Sequence, residues 1–272
     1  MSKQGSSFKD VLQSAFATSA ILIAFIIAYV LFTQIMGNPV NFKGGNVEKG
    51  EALNYLGIVH RGGGIVPILM TCVLTLIIFT FERFFTLTRA KGKGRLNSFV
   101  RNLQELLAED KIEEAMEVCD KQRGSLANVM KAGLVRYRDL QKDQELEKDQ
   151  KILSIQKAFD EAAALELPML GRNMVIFSTL ASISVLIGLI GTVLGMIRAF
   201  KALAQAGAPD ALSLASGISE ALINTAFGIT GSTLAIIMYN YFTSTIDSYT
   251  FKIDEAGFSL TQTFAASLKS NK

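Results

Sequence analysis

A carboxylate stands where only hydrocarbon-compatible residues are expected. Glu220 lies in GISEALINTAFGITGSTLAIIMYNYF, a stretch that otherwise reads as a membrane-spanning helix. A charge at the bilayer centre costs roughly 2.5–3.5 kcal/mol on insertion scales, so such groups face a protein interior or a water path. A carboxylate held there can take up and release protons. Asn224 follows one helical turn later with Thr225 beside it, and Thr192 lies in the preceding apolar stretch. If the helix begins at Asp210, an N-cap after Pro209, Glu220 sits roughly 15 Å deep, near the middle of a ~30 Å core. Glu220, Asn224, Thr192 and Thr225 can then form one polar belt in which hydroxyls hold water or relay protons. The plainer alternative is structural. Threonine hydroxyls satisfy backbone carbonyls, Asn224 bonds between helices, and Glu220 pairs with Arg198 or Lys201. Because intramembrane carboxylates are functional by default, proton handling is the expected role of Glu220.

These residues need helices to hold them, and the composition supplies such helices. Half of the residues are hydrophobic, 19% are charged, and mean hydropathy is +0.34. That is the composition of a membrane protein. Four stretches reach the ~20 apolar residues that a bilayer requires. They run from about Ala15 to Met36, Ile65 to Leu87, Met174 to Leu203 and Ala211 to Phe242. The first exceeds the h-region of a signal peptide and lacks a cleavage site, so it is expected to be retained. Lys3 and Lys9 precede it, Arg83 to Arg95 cluster after the second, and Lys252, Lys269 and Lys272 follow the fourth. By the positive-inside rule both termini and the long middle region are cytoplasmic.

The expected fold is all-α: a polytopic membrane protein with four transmembrane helices and a cytoplasmic helical region. The division is 1–36, a cytoplasmic N-terminus and first helix; 37–64, a periplasmic segment; 65–88, the second helix; 89–173, the cytoplasmic region; 174–243, a transmembrane hairpin; and 244–272, a cytoplasmic C-terminal helix or tail. In the middle region, RLNSFVRNLQELLAED places Leu96, Phe99, Val100, Leu103, Leu106 and Leu107 at amphipathic spacing. DKIEEAMEVCDKQ repeats the pattern, and Gly124 fits a break after it.

Small residues line both helices of the hairpin. Ala181, Ser184, Gly188, Gly191 and Gly195 share one face of the third helix, and Ala221, Thr225, Gly228, Ser232 and Ala235 share one face of the fourth. In lipid such faces let helices approach closely and pack by van der Waals contact. Gly188, Gly191, Gly195, Ala221, Gly228 and Ser232 are therefore the expected packing residues, both within the hairpin and between copies in an oligomer.

Other chemistries find little support. Net charge is +3, with no basic run interleaved with aromatics, so no nucleic-acid partner is expected. His60 is the one histidine, and Cys72 and Cys119 lack metal-ligand spacing. No metal or cofactor is expected. An enzyme is disfavoured, because the sequence carries no phosphate loop and no nucleophile–base pair.

GLIGTVLGMIRAF (Gly188 to Phe200), then GISEALINTAFGI (Gly217 to Ile229) and YNYF (Tyr239 to Phe242), resemble the MotA/TolQ/ExbB proton-channel family, the ExbB branch in particular. The likeness extends over roughly Gly62 to Phe242. It implies a homo-oligomeric ring, usually a pentamer, in the bacterial inner membrane. That ring surrounds a single-helix, ExbD-like partner, and proton flow through or beside it moves the partner, which acts on a TonB-like protein to energise outer-membrane transport. Glu220 matches the family glutamate, Thr192 the threonine of the GTV motif, and Thr225 the threonine that follows. Val185 and Leu234 stand where the family often has proline, and the first helix is additional to the usual three-helix plan. Two other readings remain: a TolQ-like envelope-integrity motor or other surface stator, and a non-conducting membrane scaffold.

Overall fold

A computed structural model describes residues 8–47, 50–141, 146–205 and 211–270. Among them the architecture is all-α, and the β pairing seen is an isolated bridge between Phe42 and Ala52. The helices are α1 (Phe8–Val30), α2 (Tyr55–His60), α3 (Val66–Lys91), α4 (Leu96–Ala108), α5 (Ile112–Gln122), α6 (Ser125–Gln141), α7 (Lys148–Leu170), α8 (Met174–Gln205) and α9 (Ala211–Ser270). Four helical stretches are long and apolar enough to cross a membrane: Ala17–Met36, Gly63–Ala108, Lys148–Lys201 and Leu214–Ala266. The N-cap expected at Asp210 lies outside the described residues.

The chain divides into two compact units. One contains the residues up to Phe81 with Val175–Tyr239, and the other contains Glu82–Met174 with the residues from Asn240 onward.

In the first unit, α1 buries Ala20, Ala24 and Ala28 and leaves Leu22, Phe25, Ile26 and Tyr29 exposed. Alanines one turn apart make a smooth strip that a second helix can approach closely. Ala28 clusters with Val66 and Met70 of α3. The additional helix thus packs on α3. After α1 the chain forms a π-helical turn, Leu31–Met36, whose last carbonyls would otherwise lack partners. The buried Asn41 supplies them: its Nδ2 donates to the carbonyls of Ile35 at 2.7 Å and Met36 at 2.9 Å. Asn54 donates to the Asn41 side chain and also caps α2 by accepting from the Gly57 amide at 2.9 Å. His60 stacks on Phe32 at 4.6 Å and meets Phe42 edge-on at 5.6 Å. The segment between α1 and α3, expected only as a periplasmic connection, is therefore a folded cap.

In the second unit, the amphipathic spacing of α4 buries Leu96, Phe99, Leu103 and Leu107 against α5, α6, α7 and the end of α9. Phe264 of α9 stacks on Tyr137 at 4.2 Å and Phe159 at 6.4 Å. Gly124, at φ +87°, separates α5 from α6. Cys72 and Cys119 are free, and burial pushes the Cys119 thiol up to about 12. The least expected feature is Arg83. It is 1% exposed, grips Glu82 through two 2.6 Å bonds and donates to the Leu170 carbonyl at 3.2 Å. Thr86 and Asn173 also donate to the Glu82 carboxylate.

Two outcomes follow from this packing. Arg83→Leu leaves a half-buried carboxylate and the Leu170 carbonyl without their partner. It should cost about 3–5 kcal/mol, read as a lowered thermal transition of the purified protein, whereas loss of an exposed pair such as Lys157–Glu161 should cost under about 1 kcal/mol. Burial, then the neighbouring Arg61 charge, lowers the pKa of His60 below its usual 6.5. The folded cap therefore favours neutral His60. Its stabilising contribution is complete above about pH 6.5 and is lost as pH falls through the folded value. NMR titration of this one histidine should give a midpoint below 6.5, and a midpoint at or above it would contradict the packing.

Candidate functional site

The site is built on the contact between α8 and α9. A Cβ placed on Gly188 would lie 3.0 Å from the Gly228 Cα and 2.9 Å from the Asn224 carbonyl oxygen. On Gly195 it would lie 2.9 Å from the Ala221 nitrogen, and on Gly191 2.5 Å from the Asn224 Cβ. Ser232 donates to the Ala181 carbonyl at 2.6 Å. Ala199 closes on Gly217 at the other end of this ladder. The two helices therefore run antiparallel with their backbones in contact, and Gly188, Gly191, Gly195, Ala221, Gly228 and Ser232 all lie in the seam. From α3, Val73 reaches the same seam beside Gly231 and Ser184.

The four polar residues divide into two groups around this seam. Thr192 and Thr225 bring their hydroxyls together. Thr192 is also within 3.2 Å of the Gly188 carbonyl and 3.4 Å of the Ala221 carbonyl. A hydroxyl has one proton, so when Thr192 donates to a carbonyl it accepts from Thr225. The pair thus links α8 to α9 through a hydroxyl contact.

Glu220 and Asn224 turn toward the start of α3. Asn224 is fully buried, and its Nδ2 donates to the Gly62 carbonyl at 2.9 Å. Its Oδ1 is buried with no donor among the described residues. Glu220 is 8% exposed, and its Oε1 meets the Arg198 guanidinium at 2.6 Å. Gly63 holds φ +72° directly against that carboxylate, and a Cβ there would collide with it and come 3.5 Å from Arg198 Nη1. Glycine at 63 thus satisfies both a left-handed backbone and a close approach.

The single polar belt is accordingly a hydroxyl pair on one side and an ion pair with an amide on the other. Of the two cations considered for Glu220, the geometry selects Arg198. The contribution of Gly62 and Gly63 was not anticipated. The signal for it was the RGGGIVP run, three consecutive glycines directly before a membrane helix.

Chemically, the site holds a carboxylate and a guanidinium whose charges cancel. Protonation of Glu220 removes one charge and releases Arg198, which is half exposed, to meet another anion.

Residues 121–255 match the model of the MotA/TolQ/ExbB proton channel family. The chain belongs to that family. Biopolymer transport protein ExbB of Salmonella typhimurium is 38% identical over 29% of this chain and 33% of its own length. ExbB of Pseudomonas putida is 28% identical over 74% of this chain and 60% of its own length. The Tol-Pal system protein TolQ of Haemophilus influenzae is 38% identical over 33% of this chain and 39% of its own length. The chain thus spans between a third and three fifths of the length of these relatives. All of α8 and residues 211–255 of α9 fall inside the family match, with Thr192, Arg198, Glu220, Asn224 and Thr225. Gly62, Gly63 and the whole of α1 fall outside it.

The glycine seam makes a direct prediction. Gly188→Val drives a branched side chain into the Gly228 backbone, and overpacking of this kind costs about 1–3 kcal/mol. Thermal unfolding of the detergent-purified protein should show that loss, whereas Val193→Ala, at a residue 58% exposed, should leave the transition within about 0.5 kcal/mol of wild type.

Proposed function

We propose that this chain is a ring-forming subunit of a proton-motive-force-driven motor in the bacterial inner membrane, of the ExbB type. Glu220 is its proton-carrying group. The observation that carries this reading is a nearly buried carboxylate within a membrane-length helix, balanced by Arg198 and set one turn from Asn224. Intramembrane carboxylates in such settings mark ion and proton paths.

Glu220 carries the proton, and Asn224 with the Thr192–Thr225 hydroxyl pair supplies the polar groups that can hold water along its route. A proton reaching Glu220 neutralises it and leaves Arg198 free. A carboxylate on the membrane helix of an ExbD-like partner is the complementary group. Its approach to Arg198 completes a charge exchange, and proton release from Glu220 reverses it. Movement of that partner acts on a TonB-like protein and so energises outer-membrane transport. The ring is a homopentamer in the lipid bilayer, with both termini and residues 89–173 in the cytoplasm, a reading that the Lys and Arg placement supports.

A second reading has specific support, because the TolQ relatives match at identities similar to those of the ExbB relatives. In it the same motor serves envelope integrity. The two differ in partner and not in the chemistry of the seam. A scaffold without conduction would leave the Glu220–Arg198 pair as a structural bond only.

Replacement of Glu220 by Gln keeps the shape and removes the titrating group. Growth on a nutrient that needs TonB-dependent uptake should fall to the level of a strain lacking this chain, with membrane abundance and oligomer assembly unchanged. Normal growth with an intact oligomer would overturn proton carriage by Glu220 in this system. Sensitivity to detergents and bile salts, measured in the same strain, separates the TolQ-type role.

A further inference from the structure

The second unit carries a cleft of about 600 Å³ whose lining includes Lys91, Arg95, Ser98, Arg101, Tyr249 and Lys252. It takes no part in the seam chemistry. Four cations therefore face one space. Arg101 has an exposed partner, Glu105, at 2.9 Å. Lys91, Arg95 and Lys252 have no ion pair among the described residues. Three of the cations come from neighbouring parts of the sequence, but Lys252 comes from α9, far along the chain. Convergence of like charges from distant segments is unfavourable unless an anion occupies the space between them.

The cleft is fixed by its backbone. Gly92 and Gly94, at φ +72° and +86°, turn the chain between α3 and α4. The Lys93 amide donates to the Gln122 carbonyl at 2.7 Å. A Cβ on Gly92 would lie 2.6 Å from that same oxygen, and one on Gly124 would lie 3.0 Å from the Gly92 Cα. Lys91 and Arg95 are thus mounted on either side of a turn pinned to the end of α5.

Its level is set by α3. Phe84 and Phe85 are 56% and 72% exposed, as lipid-facing residues are. Lys91 lies six residues further along the helix, about 9 Å at the α-helical rise. The headgroup layer beyond a ~30 Å core is roughly 5–8 Å thick on each side. With Phe84 and Phe85 inside the hydrocarbon, Lys91 comes out in or at the outer margin of the headgroup layer, and basic pockets on the cytoplasmic side bind anionic headgroups.

We propose that this cleft binds a phosphoryl anion, presented to it as the headgroup of an anionic phospholipid. Lys91, Arg95 and Lys252 supply the charge, and the Ser98 and Tyr249 hydroxyls lie within the same lining. The test uses the full-length protein in zwitterionic detergent, with binding followed by native mass spectrometry and by thermal shift. The probes are phosphatidylglycerol, phosphatidylcholine and inorganic phosphate at matched ionic strength. Phosphatidylglycerol should bind in preference to phosphatidylcholine. The Lys91→Gln, Arg95→Gln, Lys252→Gln triple variant should weaken that binding by at least about tenfold, whereas Lys121→Gln with Lys157→Gln should leave it unchanged. Equal stabilisation by inorganic phosphate would support the anion site with free phosphate as its source. Equal binding of the two lipids, or no difference between the triple variant and wild type, would overturn the proposal. Should the triple variant fail to fold, Lys252→Gln alone and a salt titration of the wild type decide the matter, and salt-insensitive binding would overturn it.

Discussion

Backbone contact between α8 and α9 is the constraint on which the rest of the first unit depends. In lipid there is no hydrophobic force to press two helices together, because the solvent is as apolar as the side chains. What remains is van der Waals contact, which grows as the backbones approach, and hydrogen bonds across the seam. Gly188 against Gly228 and Gly195 against Ala221 provide the first. Ser232 to Ala181 and the Thr192–Thr225 pair provide the second. A seam this close has one register, because a shift by a single position would drive side chains into backbone. That register brings Glu220 opposite Arg198 and Thr225 opposite Thr192. The electrostatics of the site are thus a consequence of the absence of side chains beside it.

The Gly62–Gly63 turn completes the enclosure. A carboxylate and an amide pointing away from the α8–α9 seam would meet hydrocarbon unless another polar backbone reached them. The turn before α3 does so: the Gly62 carbonyl accepts from Asn224, and Gly63 lies against Glu220. The folded cap holds that turn from the other side. His60 is lodged among aromatic rings, and Arg61 lies over Phe42 at 5.6 Å and donates to the Gly50 carbonyl. The Gly62–Gly63 turn continues directly from the cap and touches the intramembrane carboxylate of α9, which gives the connection between α1 and α3 a structural purpose beyond joining helices.

Much of this was legible in the sequence. A run of apolar residues of membrane length announces a helix whatever it packs against, and a small residue every three or four positions announces a close seam. Glu220 stood out because charge is rare in such a run. The amphipathic α4 and the break at Gly124 were equally plain, since both are local signals. What escaped was non-local. The hydrogen bond from Asn224 to Gly62 and the burial of Arg83 against Leu170 join residues far apart in the chain, and no periodicity encodes them. Arg83 in particular was counted only among the cations that follow the second helix, because Lys and Arg placement tells topology well and says nothing of burial.

Arg198 gives the site its direction. A buried carboxylate alone would meet a proton by simple neutralisation, and nothing else need move. With a guanidinium at 2.6 Å, each proton gained by Glu220 also creates an unbalanced cation, which must find an anion, reach the aqueous boundary or remain at high energy. Its own exposure decides among these: the Arg198 side chain is 52% exposed while that of Glu220 is 11% exposed. The group left charged is the one with freedom to swing, and the group that becomes neutral is the one held in place by Gly63. On the proposed reading, proton transfer is thereby converted into a demand for movement of a charged partner, which a motor subunit requires and a passive scaffold does not.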